Sequence, residues 1–241
     1  MHGGVRGGTG GTSTNGGVSS YTVIDAVAKM ARDTSLFPNV KKVSLIGHSA
    51  GGQTTLRYAA LIKDAALIDQ FLVYNPGTSL YVTRDRGIDP STSTCASTYN
   101  DWKYGLKQYS KRYNEESMGC SEGRRQIAQT YGQKKIHWLN GDQDTKPAID
   151  DACEANLGGG STRFGRGLTY WIYLNTLFAQ STDLSTYKQR AENLGVQLDF
   201  SSIKPFEGAT FRHTFDIVPG VGHDEYHMVT SSPSKSYLAN V

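Results

Sequence analysis

No apolar stretch in the chain approaches the ~20 residues that a membrane-spanning helix requires, so no membrane span is expected. An excess of one charge is also lacking. The net charge is +3 and the basic residues are scattered, which excludes the basic patch by which nucleic acid is held. Cysteine is scarce: Cys95, Cys120 and Cys153 are the three present, and their spacing fits no zinc pattern. One bridge plus one thiol, or three free thiols, are equally compatible with that spacing. Residues 1–20 are rich in Gly, Ser and Thr and hold no apolar h-region, so no signal peptide is legible; 1–19 read as a flexible segment. What is present is ordinary for a folded enzyme-sized chain. With 37% hydrophobic and 20% charged residues over 241 positions, a single domain with a sizeable core is expected.

The pattern alternates strands and helices. Ser19 and Ser20 are candidate N-caps for a helix over 20–32, in which Val23, Ile24, Val27, Ala28, Met30 and Ala31 recur at helical spacing. A short buried strand follows over 41–47, then a helix over 50–63 and a second strand over 71–74, closed by Asn75-Pro76-Gly77. Residues 78–133 break the rhythm: they are polar and tyrosine-rich, with one clear helical stretch near 121–131, and read as a cap-like insertion. A third strand at 136–139, helices at 166–180 and 184–194, and a fourth strand at 211–218 complete the pattern. Strands alternating with helices predict a mostly parallel sheet flanked by helices, in the α/β class.

Gly47-His48-Ser49-Ala50-Gly51 matches G-x-S-x-G. In a chain with 27 glycines the pattern alone is weak, and its context gives it weight. A strand precedes it and a helix follows it, as a nucleophile on a sharp strand-to-helix turn requires. Glycines on both sides remove Cβ atoms that would collide in such a turn. Ser49 is therefore the candidate nucleophile, and the N–H of Ala50, at the start of the new helix, a candidate oxyanion donor. A serine hydroxyl needs a base. Of six histidines, His223 stands in the loop after the last strand, last in the order Ser, acid, His. His48 adjoins the nucleophile and is expected to point away; His137 and His213 fall in strands, and His227 on a short helix. For the acid, the loop after the third strand offers Asp144, with Asp142 as closest rival. Asp150 and Asp151 come later and read as helix caps.

Several further stretches carry a resemblance: 18–21, 37–40, Gly47-His48-Ser49-Ala50-Gly51-Gly52-Gln53, Arg57-Tyr58-Ala59, Asn75-Pro76, 99–106, Cys153-Glu154-Ala155, Arg163, Arg166-Gly167 and 218–224. As a set they resemble a group of little-characterised microbial serine hydrolases of the α/β-hydrolase superfamily. The resemblance spans roughly 18–225 and implies that fold and hydrolytic chemistry, with Cys95 and Cys153 as partners. A bridge between those two would favour an oxidising compartment. The resemblance also implies strands before the nucleophile strand that have no counterpart here. The chain is thus expected to be N-terminally truncated, with the nucleophile strand at a sheet edge. The second oxyanion donor would then be missing, unless Gly3 or Gly4, in His2-Gly3-Gly4, supplies it.

The leading expectation is an esterase working through Ser49, His223 and Asp144, with a small-molecule ester as substrate and no cofactor or metal required. The insertion's Tyr99, Trp102, Tyr104, Tyr109 and Tyr113 would either line the substrate or pack the insertion onto the core. Two alternatives stand beside it: a degenerate hydrolase fold without catalysis, and an amidase or peptidase using the same residues.

Overall fold

The computed structural model describes residues 18–110 and 113–239. Its first element, α1 (Ser20–Ala31), is capped by Ser19, whose side chain accepts from the N–H of Tyr21. Strand β1 (Ser44–His48) leads into α2 (Ala50–Leu61), and β2 (Gln70–Tyr74) follows. The stretch beyond β2 holds α3 (Glu115–Gly119) and α4 (Ser121–Tyr131). Then come β3 (Ile136–Gly141), α5 (Cys153–Asn156), α6 (Arg163–Leu177), α7 (Ser185–Asn193), β4 (Thr214–Val218), α8 (Glu225–Val229) and α9 (Ser232–Ala239). The fourth strand starts later than expected. Residues 211–213 run up to it outside the ladder, and the His213 ring turns into the core, where it accepts from Trp138 Nε1 at 3.4 Å.

The four strands form one parallel sheet in the order β1-β2-β3-β4. Strand alternation divides the side chains between two faces. Phe71, Val73, Ile136, Trp138 and Phe215 enter the main core beneath α2, α4 and α6, whereas Leu72, Tyr74, Leu139 and Val218 meet Met228, Tyr237 and Leu238 of α8 and α9. Helices on both faces leave the inner strands β2 and β3 buried along their whole length, as parallel strands are.

The described residues of 78–133 are packed onto this core rather than standing off it. Leu80, Tyr81, Val82, Leu106, Met118, Ile127 and Tyr131 belong to the main apolar cluster. The aromatic residues singled out in the sequence are used the same way. Tyr113 stacks edge-on with Tyr21, Trp102 with Tyr109, and Tyr99 joins a cluster with Cys95 and Leu157. Tyr104 donates to Asp150, which also accepts from Lys103 Nζ at 2.7 Å. Asp150 is therefore an anchor for the 103–104 stretch and not a helix cap. Asp151 likewise caps nothing, since the residue before α5 is Ala152, without a side-chain cap; Asp151 accepts from Asn156 Nδ2. Cys95 and Cys153 are disulfide-bonded, and Cys120 is free and exposed.

Helix α1 turns one of its two apolar stripes inward. Tyr21, Ala28 and Ile24 face the core, and Asp25 accepts from the hydroxyls of Tyr58 and Tyr113. Val23, Val27 and Met30 are 52%, 55% and 49% exposed. Periodicity marked both stripes as apolar, and the aromatic stripe won because α2 supplies Tyr58 to receive Tyr21. Among the described residues β1 lies at the sheet edge, with Ile46 of its second face 42% exposed.

Two histidines are held neutral by this packing. Burial pushes His137 and His213 down to about 4, with Lys135 adding to the effect at His137. The unfolded chain protonates them near 6.5, so their contribution to stability is complete above that pH and is lost as pH falls towards 4. The urea midpoint is expected to drop between pH 6.5 and 4, and His213→Asn to flatten the drop; an unaltered slope would deny His213 this part. The bridge closes 58 residues, for which loop-closure entropy gives about 4 kcal/mol. The double variant C95A/C153A is expected to lose about 2–4 kcal/mol of unfolding free energy in urea titrations.

Candidate active site

The carboxyl ends of the four parallel strands lie along one edge of the sheet, and the residues that follow them build the site. Ser49 stands between β1 and α2 with φ 53° and ψ −115°, a strained backbone for a residue with a side chain. The turn is held on both sides: the Ser49 N–H donates to Tyr74 O at 2.9 Å, and the Gln53 N–H to Ser49 O at 3.1 Å. Glycine is required at position 47, where a Cβ would run into the Gly51 carbonyl and Thr55 Oγ1. The first N–H groups of α2, beginning with Ala50, have no intrahelical acceptor and point towards the serine end of the helix.

His223 reaches Ser49 from the loop after β4. Its Nε2 lies 2.8 Å from Ser49 Oγ, and its Nδ1 2.8 Å from Asp144 Oδ2. An ionised carboxylate only accepts, so Nδ1 carries the proton and donates to Asp144. Nε2 of the neutral ring is then the acceptor for the Ser49 hydroxyl. Asp144 is only 2% exposed and His223 31%, so the buried carboxylate fixes a ring whose other edge is open to solvent. Arg163, at the start of α6, adds a buried cation 3.5 Å from Asp144 Oδ1, and the Phe164 N–H donates to the Asp144 carbonyl.

Asp142 is turned elsewhere. Its Oδ1 accepts from the N–H of Gly220 at 2.8 Å, and its own N–H donates to Val218 O. Gly220 has φ 72°, which a glycine adopts without strain, so Asp142 pins the turn that launches the His223 loop. His48 departs from expectation. Its ring packs against that of His223, with centroids 4.6 Å apart, and its Nε2 is buried without a partner. Burial and the neighbouring His223 push His48 below the ordinary imidazole value. His227 lies on α8 beside Asp224, away from Ser49. Gly3 and Gly4, the candidate second oxyanion donors, lie outside the described residues.

No family model matches the chain, and neither does any curated protein. Solved structures do. A poly(3-hydroxybutyrate) depolymerase from Bordetella parapertussis superposes with a TM-score of 0.57 at 19% identity over 92% of this chain. Poly(aspartic acid) hydrolase-1 from Sphingomonas sp. KT-1 superposes with a TM-score of 0.53, again at 19% identity and over 92% of the chain. The fold is that of the α/β hydrolases. The chain spans 58% and 62% of the lengths of these two proteins.

Arg163 was singled out in the sequence only within the stretches that carry the resemblance, with no role in the site assigned to it. Arg163 opens a helix otherwise read as structural, and its buried charge became evident only with Asp144 beside it. Replacing it by methionine leaves Asp144 as a buried carboxylate without a nearby guanidinium, which is expected to cost about 1–3 kcal/mol in chemical denaturation; an unchanged denaturation midpoint would show the pair to be neutral.

Proposed function

We propose that the protein is a serine hydrolase that cleaves carboxylic esters, with Ser49 as nucleophile, His223 as general base and acid, and Asp144 as the carboxylate that orients the ring. The observation that carries this reading is the continuous line Ser49 Oγ, His223 Nε2, His223 Nδ1, Asp144 Oδ2, with 2.8 Å at each hydrogen bond. Geometry of this kind is what an activated serine requires, whatever the chain order or length. The superposed poly(3-hydroxybutyrate) depolymerase supports an ester substrate, and the superposed poly(aspartic acid) hydrolase-1 supports an amide as the second reading.

In the first half of the reaction, Ser49 Oγ attacks the ester carbonyl carbon while its proton passes to His223 Nε2. The imidazolium is stabilised by Asp144, whose charge stays in place because it accepts the Nδ1–H throughout. The developing oxyanion is received by the Ala50 N–H at the N-terminus of α2. The intermediate collapses, the carbon–oxygen bond to the alcohol breaks, and His223 returns its proton to the departing oxygen. In the second half a water molecule gives its proton to His223 and its oxygen to the acyl carbon. Ser49 leaves with that proton and the carboxylic acid is released.

Ser49→Ala is expected to abolish hydrolysis of p-nitrophenyl acetate and labelling by a fluorophosphonate, with the circular dichroism of the folded chain unchanged; retained hydrolysis would sink the mechanism. Asp144→Asn loses the carboxylate that selects the productive tautomer and is expected to lower kcat by about 1,000- to 10,000-fold. Asp142→Asn keeps an oxygen facing Gly220 and is expected to stay within about tenfold of wild type. The reverse order would reassign the acid.

A further inference from the structure

The nucleophile, base and acid come from separate loops, and one dipeptide between them touches all three. Tyr74, the last residue of β2, accepts the Ser49 N–H on its carbonyl at 2.9 Å. Asn75, the next residue, donates its own N–H to Leu139 O of β3 at 3.1 Å. Its side chain divides between the other two loops. Oδ1 accepts the Gly141 N–H at 2.8 Å, at the start of the turn that carries Asp144, and Nδ2 donates to Gly222 O at 2.9 Å, directly before His223. Asn75 is fully buried, and its bond to Gly141 is shut away from water. It is held at φ 42°, in the left-handed region that asparagine tolerates better than most residues with a side chain.

We infer that Asn75 is a positioning residue that sets the distance between the acid and the base relative to the nucleophile. The inference rests on the assignment of Ser49, His223 and Asp144 proposed above. The amide is the right chemistry for this place. One end must accept from a backbone N–H and the other must donate to a backbone carbonyl. Among side chains of this length only asparagine offers both at fixed separation. Hydrogen bonds also run directly between the two loops, from the Gln143 N–H to Val221 O and from Gly220 to Asp142. Those bonds hold the loops to each other. Among the described residues, Asn75 is the side chain whose hydrogen bonds tie both loops to the strand whose end anchors Ser49. Without it the acid and base loops keep their bonds to each other but are held less closely in place relative to the serine hydroxyl. Misplacement on the scale of 1 Å is worth about 100-fold in rate.

Two variants separate this role from simple stability. Asn75→Gly removes both side-chain bonds while easing the positive φ, so the backbone is not strained by the change. Asn75→Asp keeps an acceptor for Gly141 and turns an oxygen towards the Gly222 carbonyl, so that only the bond to the base loop is lost and becomes repulsive. In both, kcat for p-nitrophenyl acetate and the rate of fluorophosphonate labelling at Ser49 are expected to fall by about 10- to 100-fold. KM is expected to stay within about threefold, and the circular dichroism to remain that of the folded chain. A lower thermal midpoint with wild-type labelling rate and kcat in the folded variants would make Asn75 a structural residue and overturn the inference alone. Failure of the wild-type protein to label at Ser49 would instead overturn the hydrolase reading, and the inference with it.

Discussion

The in-register backbone pairing of β1, β2, β3 and β4 is the constraint on which the site depends. His48 sits opposite Tyr74, Tyr74 opposite Leu139, and Gly141 opposite Val218. Strands paired this way end at the same level, so the residues that follow them emerge side by side. A slip of one residue would carry each side chain to the other face of the sheet and move the loop ends by about 3.3 Å. The helices on both faces protect the pairing by burying the inner strands, and Gly141 allows the loop that carries His223 to lie directly on the end of β3. A Cβ there would meet the carbonyl of Val221.

Beneath this edge lies a set of buried arginines that hold backbone rather than pairing mainly with carboxylates. Arg57 donates to the carbonyls of Lys103 and Gln53 and to Thr78 Oγ1, and Arg166 to the carbonyls of Gly160 and Gly77 and to Asn156 Oδ1. A guanidinium can satisfy several carbonyls at once from fixed directions, which suits it to stapling irregular loops that have no ladder of their own. The stretch 77–104 and the turn before α6 are joined in this way, with the Cys95–Cys153 bridge tying the same regions covalently. Asp144, the carboxylate of the proposed triad, faces Arg163 on the same side. Charge near the site is thus concentrated in groups whose geometry is locked by neighbours, as preorganised electrostatics require.

The opposite flank of the sheet has a different character. Among the described residues β1 is paired on one side, with β2, and Val23, Val27 and Met30 of α1 are exposed. The core-facing stripe of α1 is secured by Tyr21 and Asp25 against α2, and Arg32 fastens its end to Asp69 and to the Leu67 carbonyl. The helix that precedes β1 is therefore anchored through its polar and aromatic contacts, although much of its aliphatic surface is open.

The sequence alone determined the parts that depend on local stereochemistry. The turn at Ser49 was legible because a strand, two flanking glycines and a helix are needed within a few residues of one another. The helix over Ser121–Tyr131 and the alternation of strands and helices were legible for the same reason, since periodicity is a local property. The order of Ser49, Asp144 and His223 along the chain was legible as a pattern of loops after strands. Tertiary structure decided whatever depends on residues far apart in the chain. Asp142 and Asp144 share one loop, and only the position of the 220–223 turn shows which faces the imidazole and which the Gly220 N–H. Asn75 reads in sequence as a turn residue; its partners lie 66 and 147 residues away. The two apolar stripes of α1 are equivalent by spacing, and only the partner that reached one of them, Tyr58, distinguished buried from exposed. Local spacing states what a side chain can do, whereas its hydrogen-bond partner and its burial are set by packing between elements that the chain brings together only when it folds.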